Sequence, residues 1–449
     1  MTEHPRRLIW FCGTEQVAER PEWLAALRDE IGLTTIMPES PVCHTSGFAA
    51  SAEVAARGPF EDWRQRRELW PRGAEGIYPP VAGTPGGFDD APLRRLMDAC
   101  QKAGIEVWGH LGLWSYGGDV YPEHALVDLD GKALDRRYGQ WGIGLCPSRT
   151  AVNEWVGDCL QDVAARYEVS GFCLDHARYP APANLHSLLA CGCPDCAAAA
   201  AAMGCDLDAV RQAAEALRRR IRALGSAGLE RLVRARPGPL ELAALVDPDG
   251  ALLAWLRFRA RLLARRMGEL RQALVRAGRP LVFGSDVFAP SISLLGGHEY
   301  PAWEEVTDYL TGGSSYGGVV GWATGSVNAA GEWAAALCRA APGLAEGPAL
   351  ELAYGLLGCR DLDLPAEVAA LRPQALPLAE LYSREIDRLR VLSSGRVPLY
   401  PPVTAHGDPQ LVQALCRAVV EARCQGAMLG LDPENRANLQ VLRQELGRL

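Results

Sequence analysis

Two aspartates in this sequence follow short apolar runs and are the strongest candidates for acid–base chemistry. Asp175 ends the segment Val169-Ser-Gly-Phe-Cys-Leu-Asp, and Asp286 follows Gly284-Ser285. An apolar run that ends in an acid is typical of a buried strand that carries the acid to its carboxyl end. Hydrolysis of a glycosidic bond needs two carboxyl groups, one as proton donor and one as nucleophile or base. We therefore predict that Asp175 and Asp286 form a catalytic pair, with an ion pair to Arg178 and a helix cap as their respective structural alternatives.

Further polar and aromatic residues stand just past apolar runs, where they could contact a substrate. Imidazole and guanidinium groups can hydrogen-bond to sugar hydroxyls, and aromatic faces can cover the apolar side of a sugar ring. For each of these residues, the alternative to substrate binding is an ordinary structural role as a buried or capping residue. The predicted substrate-binding residues are His44, His110, Trp114, Arg178, Tyr316 and His406.

Three cysteines fall close together in Cys191-Gly-Cys193-Pro-Asp-Cys196. This density is typical of a knuckle in which thiolates surround one tetrahedral zinc ion. A closed site needs a fourth ligand, and the alternative is a group of reduced cysteines without metal. The candidates for the fourth ligand are Cys43, Cys146, Cys205 and His186.

Short apolar runs alternate with amphipathic helical patterns along the chain, which predicts a parallel sheet with helical crossovers. No glycine-rich phosphate turn follows the first run, so a closed barrel is favoured over an open doubly wound sheet. We expect a (β/α)8 TIM barrel. Its eight predicted strands are Leu8–Cys12, Leu33–Met37, Ile105–Leu111, Val169–Leu174, Leu281–Gly284, Thr307–Leu310, Val397–Tyr400 and Ala427–Leu431. The predicted helices are Glu22–Ile31, Ala91–Gly104, Ala151–Tyr167, Gly250–Gly278, Leu378–Leu392, Pro409–Ala422 and Pro433–Leu449.

Residues 1–449 are predicted to form a single domain, because barrels with insertions commonly reach this length. One insertion, residues 180–248, follows the fourth strand and carries the cysteine triplet. A second, residues 312–376, follows the sixth strand. Within the latter, Ala349–Leu357 fits either a ninth strand or a short helix.

The segment around Asp175 resembles a known group of proteins. Gly171-Phe-Cys-Leu-Asp175-His-Ala-Arg178-Tyr179-Pro180 is similar to the Gly-x-x-x-Asp-x-x-Arg-Tyr-Pro signature of the bacterial glycosyl-hydrolase-like, or family-10-like, barrels. Residues 284–290 and 308–316 also fit that group. The resemblance implies a TIM barrel and glycosidase chemistry, and it leaves the sugar unassigned.

The cysteines resemble the zinc site of family-42 β-galactosidases. In that family a Cys-Pro-Ser cysteine before the fourth strand joins a later triplet, which implies that Cys146 joins Cys191, Cys193 and Cys196 here around a structural zinc ion. The likeness ends at the chemistry: the family has an Asn-Glu pair after the fourth-strand Asp, whereas this chain has His176-Ala177. The β-galactosidase activity is therefore not carried over.

Composition limits the partners of the protein. The net charge of −8 argues against nucleic acid, and no apolar stretch approaches the ~20 residues of a membrane span. The start of the chain lacks a signal-peptide pattern, so we expect a cytoplasmic protein whose 14 cysteines stay reduced.

Three functions fit these observations. The first is a glycosidase acting on a small or oligomeric carbohydrate, as a monomer or a homo-oligomer. The second is a non-catalytic sugar-binding barrel that retains the structural zinc site. The third is a metal-dependent hydrolase or isomerase using His44, His110 and Asp175 around an open metal site.

Overall fold

The computed structural model describes residues 5–38, 48, 50–55, 57, 59, 90–114, 117–135, 143–180, 182–183, 185–312 and 318–449. A curled parallel sheet of seven strands forms the centre of these residues. Its strands in sheet order are β5 (Val282–Ser285), β4 (Gly171–Asp175), β3 (Glu106–Gly112), β2 (Thr35–Pro38), β1 (Arg7–Cys12), β7 (Gly426–Leu431) and β6 (Pro402–Ala405). Every pair of neighbours is parallel, as the alternating sequence pattern predicts.

Helices connect the strands and cover the outer face of the sheet, where most of the buried apolar side chains form one continuous core. The helices are α1 (Thr14–Glu19), α2 (Glu22–Ile31), α3 (Ala52–Ala55), α4 (Ala91–Ala103), α5 (Thr150–Arg166), α6 (Pro194–Ala202), α7 (Leu207–Ala235), α8 (Pro239–Val246), α9 (Ala251–Val275), α10 (Ser293–Gly296), α11 (Tyr300–Glu304), α12 (Gly318–Ala340), α13 (Glu346–Leu357), α14 (Leu378–Leu392), α15 (Pro409–Glu421) and α16 (Arg436–Leu446).

The ends of several helices follow from single residues. Gly104 ends α4 with a φ of 68°, a left-handed conformation that costs glycine little. Asp206 and Asp408 precede α7 and α15, and the side chain of each accepts hydrogen bonds from the first turn of its helix. Gly104 thus determines where α4 ends, and the two aspartates determine where α7 and α15 begin.

A second buried cluster lies on the inner face of the sheet. Its side chains come from β1, β2, β3, β4 and β7 and from two segments next to the sheet. The members are Ile9, Met37, Trp108, Cys173, Tyr309, Tyr400 and Met428. Tyr309 stacks on Trp108 with ring centroids 5.0 Å apart, so aromatic rings fill the space that the curled strands enclose.

Two predicted strands differ from the structure. Residues 307–310 do not form a strand but a single parallel bridge, between Leu310 and Leu399, and Asp308 N–H donates to the carbonyl of Phe283 in β5. The predicted strand Val397–Tyr400 is displaced, because β6 begins at Pro402. Pro398 and Pro401 have no N–H to donate, which interrupts the ladder before Pro402.

The segment between β4 and α9 carries α6, α7 and α8. Apolar side chains of α6, α7 and α9 pack together in a separate cluster that includes Trp255 and Phe258. Farther along the chain, the ambiguous run Ala349–Leu357 lies within helix α13, so the interpretation as a ninth strand is wrong.

Among the described helices, none combines the length and apolarity that a bilayer crossing demands.

Gly284 of β5 offers a test of the inner packing. A Cβ atom at this position would overlap the ring of Tyr309. We expect Gly284→Ala to lower the free energy of unfolding by about 1–3 kcal/mol, because the Tyr309 ring would have to shift while it is packed against Trp108 and Tyr400. Urea denaturation measures this change.

Gly355 of α13 is the matched control. A Cβ atom there meets nothing within 4 Å. Gly355→Ala should raise the stability by about 0.5–1 kcal/mol, since alanine is the better helix former. Equal effects of the two substitutions would contradict the inner packing described above.

Candidate active site and four-cysteine cluster

The register of β4 and β5 brings Asp175 and Asp286 together. Leu174 pairs with Ser285, so the next residue on each strand is an aspartate, and the two stand side by side at the carboxyl ends. Their side chains lie on the same face of the sheet, because the two residues occupy equivalent positions on neighbouring parallel strands. Both residues are buried, with 3% and 5% of their surface exposed. The structure therefore builds one carboxyl pair from two residues that are 111 positions apart in the sequence.

His110 of β3 lies beside both carboxyl groups. Its Nε2 atom is 3.9 Å from Asp175 Oδ2 and 3.7 Å from Asp286 Oδ2. The ring of Phe11 packs edge-on against the imidazole at a centroid distance of 4.8 Å. One nitrogen atom is thus close enough to both acids to influence the charge of either.

His176 contacts Asp175 and adopts a left-handed backbone conformation, with a φ of 58°. Its Nε2 atom lies 3.3 Å from Asp175 Oδ2, and its Nδ1 atom lies 3.4 Å from an Arg178 guanidinium nitrogen. Because arginine can only donate, Nδ1 accepts and Nε2 carries the proton that faces Asp175. Burial lowers the pKa of His176 well below its usual value, so the ring stays neutral. Arg178 therefore acts on Asp175 through His176, and its guanidinium also stacks over the ring of Phe288 at 5.1 Å.

Burial raises the pKa of Asp175 to about 7. His110 opposes this shift, whereas the nearby Asp286 carboxyl adds to it, since two negative charges in one dry site repel each other. Arg178 also opposes it. Near neutral pH a large fraction of Asp175 therefore keeps a proton that an exposed aspartate would have lost.

His110, Cys173 and Asp286 form a second group of possible metal ligands among the described residues. Their ligand atoms lie within 4.8 Å of one another. Burial raises the pKa of the Cys173 thiol well above its usual value, and the thiol donates to Asp286 Oδ1 at 3.8 Å. These features favour a hydrogen-bonded carboxyl site over a metal site.

Cys146, Cys191, Cys193 and Cys196 form a buried cluster of four thiols. The Sγ atom of Cys146 lies 3.6 Å from that of Cys193 and 3.3 Å from that of Cys196. Three backbone N–H groups point at sulfur atoms, those of Val127, Ser148 and Cys196. Among the candidates for the fourth position, Cys146 is the one that the structure brings to the triplet; Cys205 and His186 are not part of the group, and Cys43 lies outside the described residues.

Two arginines lie near the four-cysteine cluster. Arg259 of α9 is fully buried, donates to the carbonyls of Leu188 and Leu295, and lies over the ring of Tyr179 at 4.2 Å. Burial lowers its pKa only to about 10, so it remains charged at neutral pH. The thiols raise the pKa of Arg149, which pairs with Asp195 at 2.6 Å. Positive charge on two sides suits a metal–tetrathiolate site, which carries excess negative charge.

The remaining predicted substrate-binding residues lie elsewhere or outside the description. Trp114 is 1% exposed, belongs to the outer core, and donates its indole N–H to Asn153 at 2.9 Å. These contacts are those of a core residue and give no support to stacking on a sugar. His406 is exposed just after β6. His44 and Tyr316 lie outside the described residues.

Three residues near the carboxyl pair were missed as site residues. Cys173 precedes Asp175 by two positions on the same strand face, a signal available in the sequence. His176 follows Asp175 directly, but in the sequence it stands out only as a departure from the family-42 pattern. His298 hydrogen-bonds to both strand-end loops, and no feature of the sequence indicates this.

Comparison with known proteins supports the fold. No family model and no curated protein matches the sequence. Among solved structures, the PgaB (BpsB) glycoside hydrolase domain from Bordetella bronchiseptica has a TM-score of 0.52 at 12% identity, with 98% of each chain covered. The catalytic domain of β-amylase from Paenibacillus polymyxa has a TM-score of 0.48 at 10% identity, over 98% of this chain and 97% of that one. At these identities the similarity concerns the fold alone.

The raised pKa of Asp175 predicts how stability depends on pH. Between the ordinary value of 3.8 and about 7, the folded protein holds a proton that the unfolded chain has lost. The stability contribution of Asp175 therefore falls as pH rises through this window. Asp175→Asn has no such proton, so the variant should gain stability relative to the wild type between about pH 4 and pH 7. Urea denaturation at several pH values measures the difference.

Asp361 is the control, because its pKa is shifted in the opposite direction. It is exposed, and its hydrogen bond from Arg384 lowers its pKa. Asp361→Asn should therefore show no gain over the same pH window. A loss of stability in Asp175→Asn at neutral pH would instead identify Asp175 as a structural ion-pair partner.

Proposed function

We propose that this protein is a glycoside hydrolase that acts on a small or oligomeric carbohydrate. The observation that carries the proposal is the placement of the Asp175 and Asp286 carboxyl groups at adjacent strand ends, both beside His110 Nε2, with the pKa of Asp175 raised to about 7. Glycosidases use such a pair, one acid and one carboxylate. The fold similarity to a glycoside hydrolase domain is in agreement with this chemistry.

Asp175 is assigned as the general acid and Asp286 as the nucleophile. A general acid must hold its proton near the working pH, which the pKa of about 7 allows for Asp175. The two acids occupy equivalent positions on neighbouring strands, which lie about 4.8 Å apart in a sheet. This placement suits the retaining mechanism, whose carboxyl groups stand about 5 Å apart, better than the wider separation of inverting enzymes. The neutral His176, held by Arg178, would orient the acid, and His110 would face the substrate between the two carboxyls.

We also propose that the sheet closes into a (β/α)8 barrel. The segment around Leu310 is bonded on one side to β5 and on the other to residues 398–400, which continue toward β6. This segment would therefore occupy the place of a sixth strand. Residues 1–449 would then form one domain, with insertions at 180–248 and 312–376.

The four-cysteine cluster is proposed to bind one structural zinc ion. Four thiolates complete a tetrahedral site, so the bound ion would hold loops together and would leave no position for water. The cluster joins the loop before α5 to the insertion after β4. Arg259 extends this link to Tyr179, which lies four residues after Asp175.

Substitution of each acid tests the proposed roles. We expect Asp175→Asn and Asp286→Asn each to lower kcat by about 10²–10⁴-fold on glycosides with poor leaving groups. With an activated aryl leaving group, which departs without protonation, Asp175→Asn should recover turnover and Asp286→Asn should not. The first sugar released should keep its anomeric configuration, which NMR detects.

Asp308→Asn is the matched control for these assays. Asp308 is a carboxylate at the opposite end of β5, where it accepts from Phe283 N–H at 2.9 Å and pairs with Arg271. This variant should keep its activity per folded molecule. A wild-type protein that cleaves no glycoside but binds sugars would contradict the proposal and identify a non-catalytic sugar-binding barrel.

Metal content tests the zinc proposal. Protein purified from zinc-supplemented cells should contain about one equivalent of zinc after dialysis, and Cys193→Ser should contain much less and melt at a lower temperature, because the metal contributes folding energy. Cys205→Ser is the control, since Cys205 lies outside the cluster. Zinc contents below about a tenth of an equivalent in the wild type would overturn the proposal.

A further inference from the structure

His298 connects the two loops that carry the candidate catalytic acids. Its Nδ1 atom accepts a hydrogen bond from Phe288 N–H at 2.9 Å, and its Nε2 atom lies 3.1 Å from the carbonyl oxygen of Ala177. Phe288 is two residues after Asp286, and Ala177 is two residues after Asp175. One imidazole ring therefore bridges equivalent positions of both loops.

These contacts define the protonation of the ring. An Nδ1 atom that accepts from a backbone N–H cannot carry a proton, so the proton is on Nε2 and is donated to Ala177. Burial lowers the pKa of His298 to about 3, which keeps the ring neutral. Both ring nitrogens are thus used, and neither is available for proton transfer to a substrate.

Packing holds the ring of His298 in place. Trp303 contacts it edge-on at a centroid distance of 4.9 Å, and Phe288 lies 5.5 Å away at a tilt of 48°. The residue is 1% exposed. A buried ring with fixed neighbours can transmit the position of one loop to the other.

Other contacts also hold these two loops. Tyr300 donates its hydroxyl to the carbonyl of Phe288 at 2.6 Å, and Thr311 accepts from Val287 N–H at 3.1 Å. On the other loop, Tyr179 N–H donates to the carbonyl of Gly296 at 2.9 Å. The bonds of Tyr300 and Thr311 hold the fifth-strand loop alone. The Tyr179 bond and the Arg178 guanidinium over the Phe288 ring also join the two loops, but only His298 hydrogen-bonds to the residues two positions past both acids among these contacts.

We propose that His298 is a positioning residue that sets the separation of the Asp175 and Asp286 carboxyl groups by bridging Ala177 and Phe288. The catalytic meaning of that separation rests on the proposed function. The bridge itself is independent of it. Because the acids lie two residues from the bridged positions, loss of either bond should let them move apart.

Two substitutions separate the two bonds. In His298→Asn, the amide oxygen takes the place of Nδ1 and can accept from Phe288, but the side chain is too short to reach Ala177. In His298→Gln, the amide nitrogen takes the place of Nε2 and can donate to Ala177, while the acceptor for Phe288 is lost. Each variant keeps one loop attached, so both should fold.

The first readout does not require activity. Protein labelled with carbon-13 at the aspartate carboxyls is titrated by NMR, and the Asp175 signal is identified by its loss in Asp175→Asn. The groups that face Asp175 are His110, His176, Asp286 and, through His176, Arg178. Moving Asp286 away weakens its electrostatic repulsion of the Asp175 carboxylate. In both His298 variants the Asp175 signal should therefore titrate at a pH lower by about half a unit or more than in the wild type.

The second readout is turnover. Both variants should lose about 10- to 100-fold in kcat, with KM changed much less, because misplaced catalytic groups affect the transition state more than binding. The alkaline limb of the pH profile should shift downward with the NMR titration.

Tyr300→Phe is the matched control. It removes a buried hydrogen bond to the same residue, Phe288, without touching the fourth-strand loop. A similar loss of melting temperature is expected, with the Asp175 titration unchanged.

Unchanged Asp175 titrations in both His298 variants would overturn the positioning role, whatever the activity. If the titrations shift but the wild type cleaves no glycoside, the bridge stands and the proposed function fails.

Discussion

Asp175 and Asp286 lie side by side in a dry site, so the nearby Asp286 carboxyl raises the free energy of ionising Asp175. A fold that holds them together must resist this repulsion whenever both are charged. The parallel register supplies the first restraint, because it aligns the ends of β4 and β5 to the residue. The neutral His176 and the nearby His110 supply the second, by facing the carboxylate oxygens with imidazole nitrogens.

The loops that follow the strands also restrain the positions of the two acids. His176 occupies a left-handed conformation that a non-glycine residue adopts at some cost, and such strain persists only where neighbours hold it. Arg178 is such a neighbour, because its guanidinium contacts His176. The next residue, Tyr179, lies under the fully buried Arg259, which interacts electrostatically with Cys191 and Cys196 of the four-cysteine cluster. A cluster without catalytic contact can therefore matter to the acids, because it determines where their loop lies.

Much of the fold follows from local patterns. Helices Glu22–Ile31 and Leu378–Leu392 begin and end where the periodicity of the sequence predicts, and six of the strands lie at the predicted apolar runs. The errors occur where local pattern and pairing disagree. Residues 397–401 are apolar enough for a strand, but their prolines cannot donate to a neighbour. Residues 307–310 are also apolar, yet only Leu310 forms a bridge.

The site was predictable to the extent that it depends on strand ends. Parallel strands bring their carboxyl ends to one edge of the sheet. The positions of Asp175, Asp286 and His110 near strand ends therefore predict that these three side chains lie close together. The direction of a side chain beyond the strand is not fixed in this way: Trp114, two residues past β3, turns into the core toward Asn153. The role of His298 is even harder to predict from the sequence. Its bond to Ala177 spans 121 residues and depends on which ring nitrogen faces which loop. The residues that align an active site are therefore harder to infer from sequence than the residues that perform its chemistry, because alignment is a property of the packed structure.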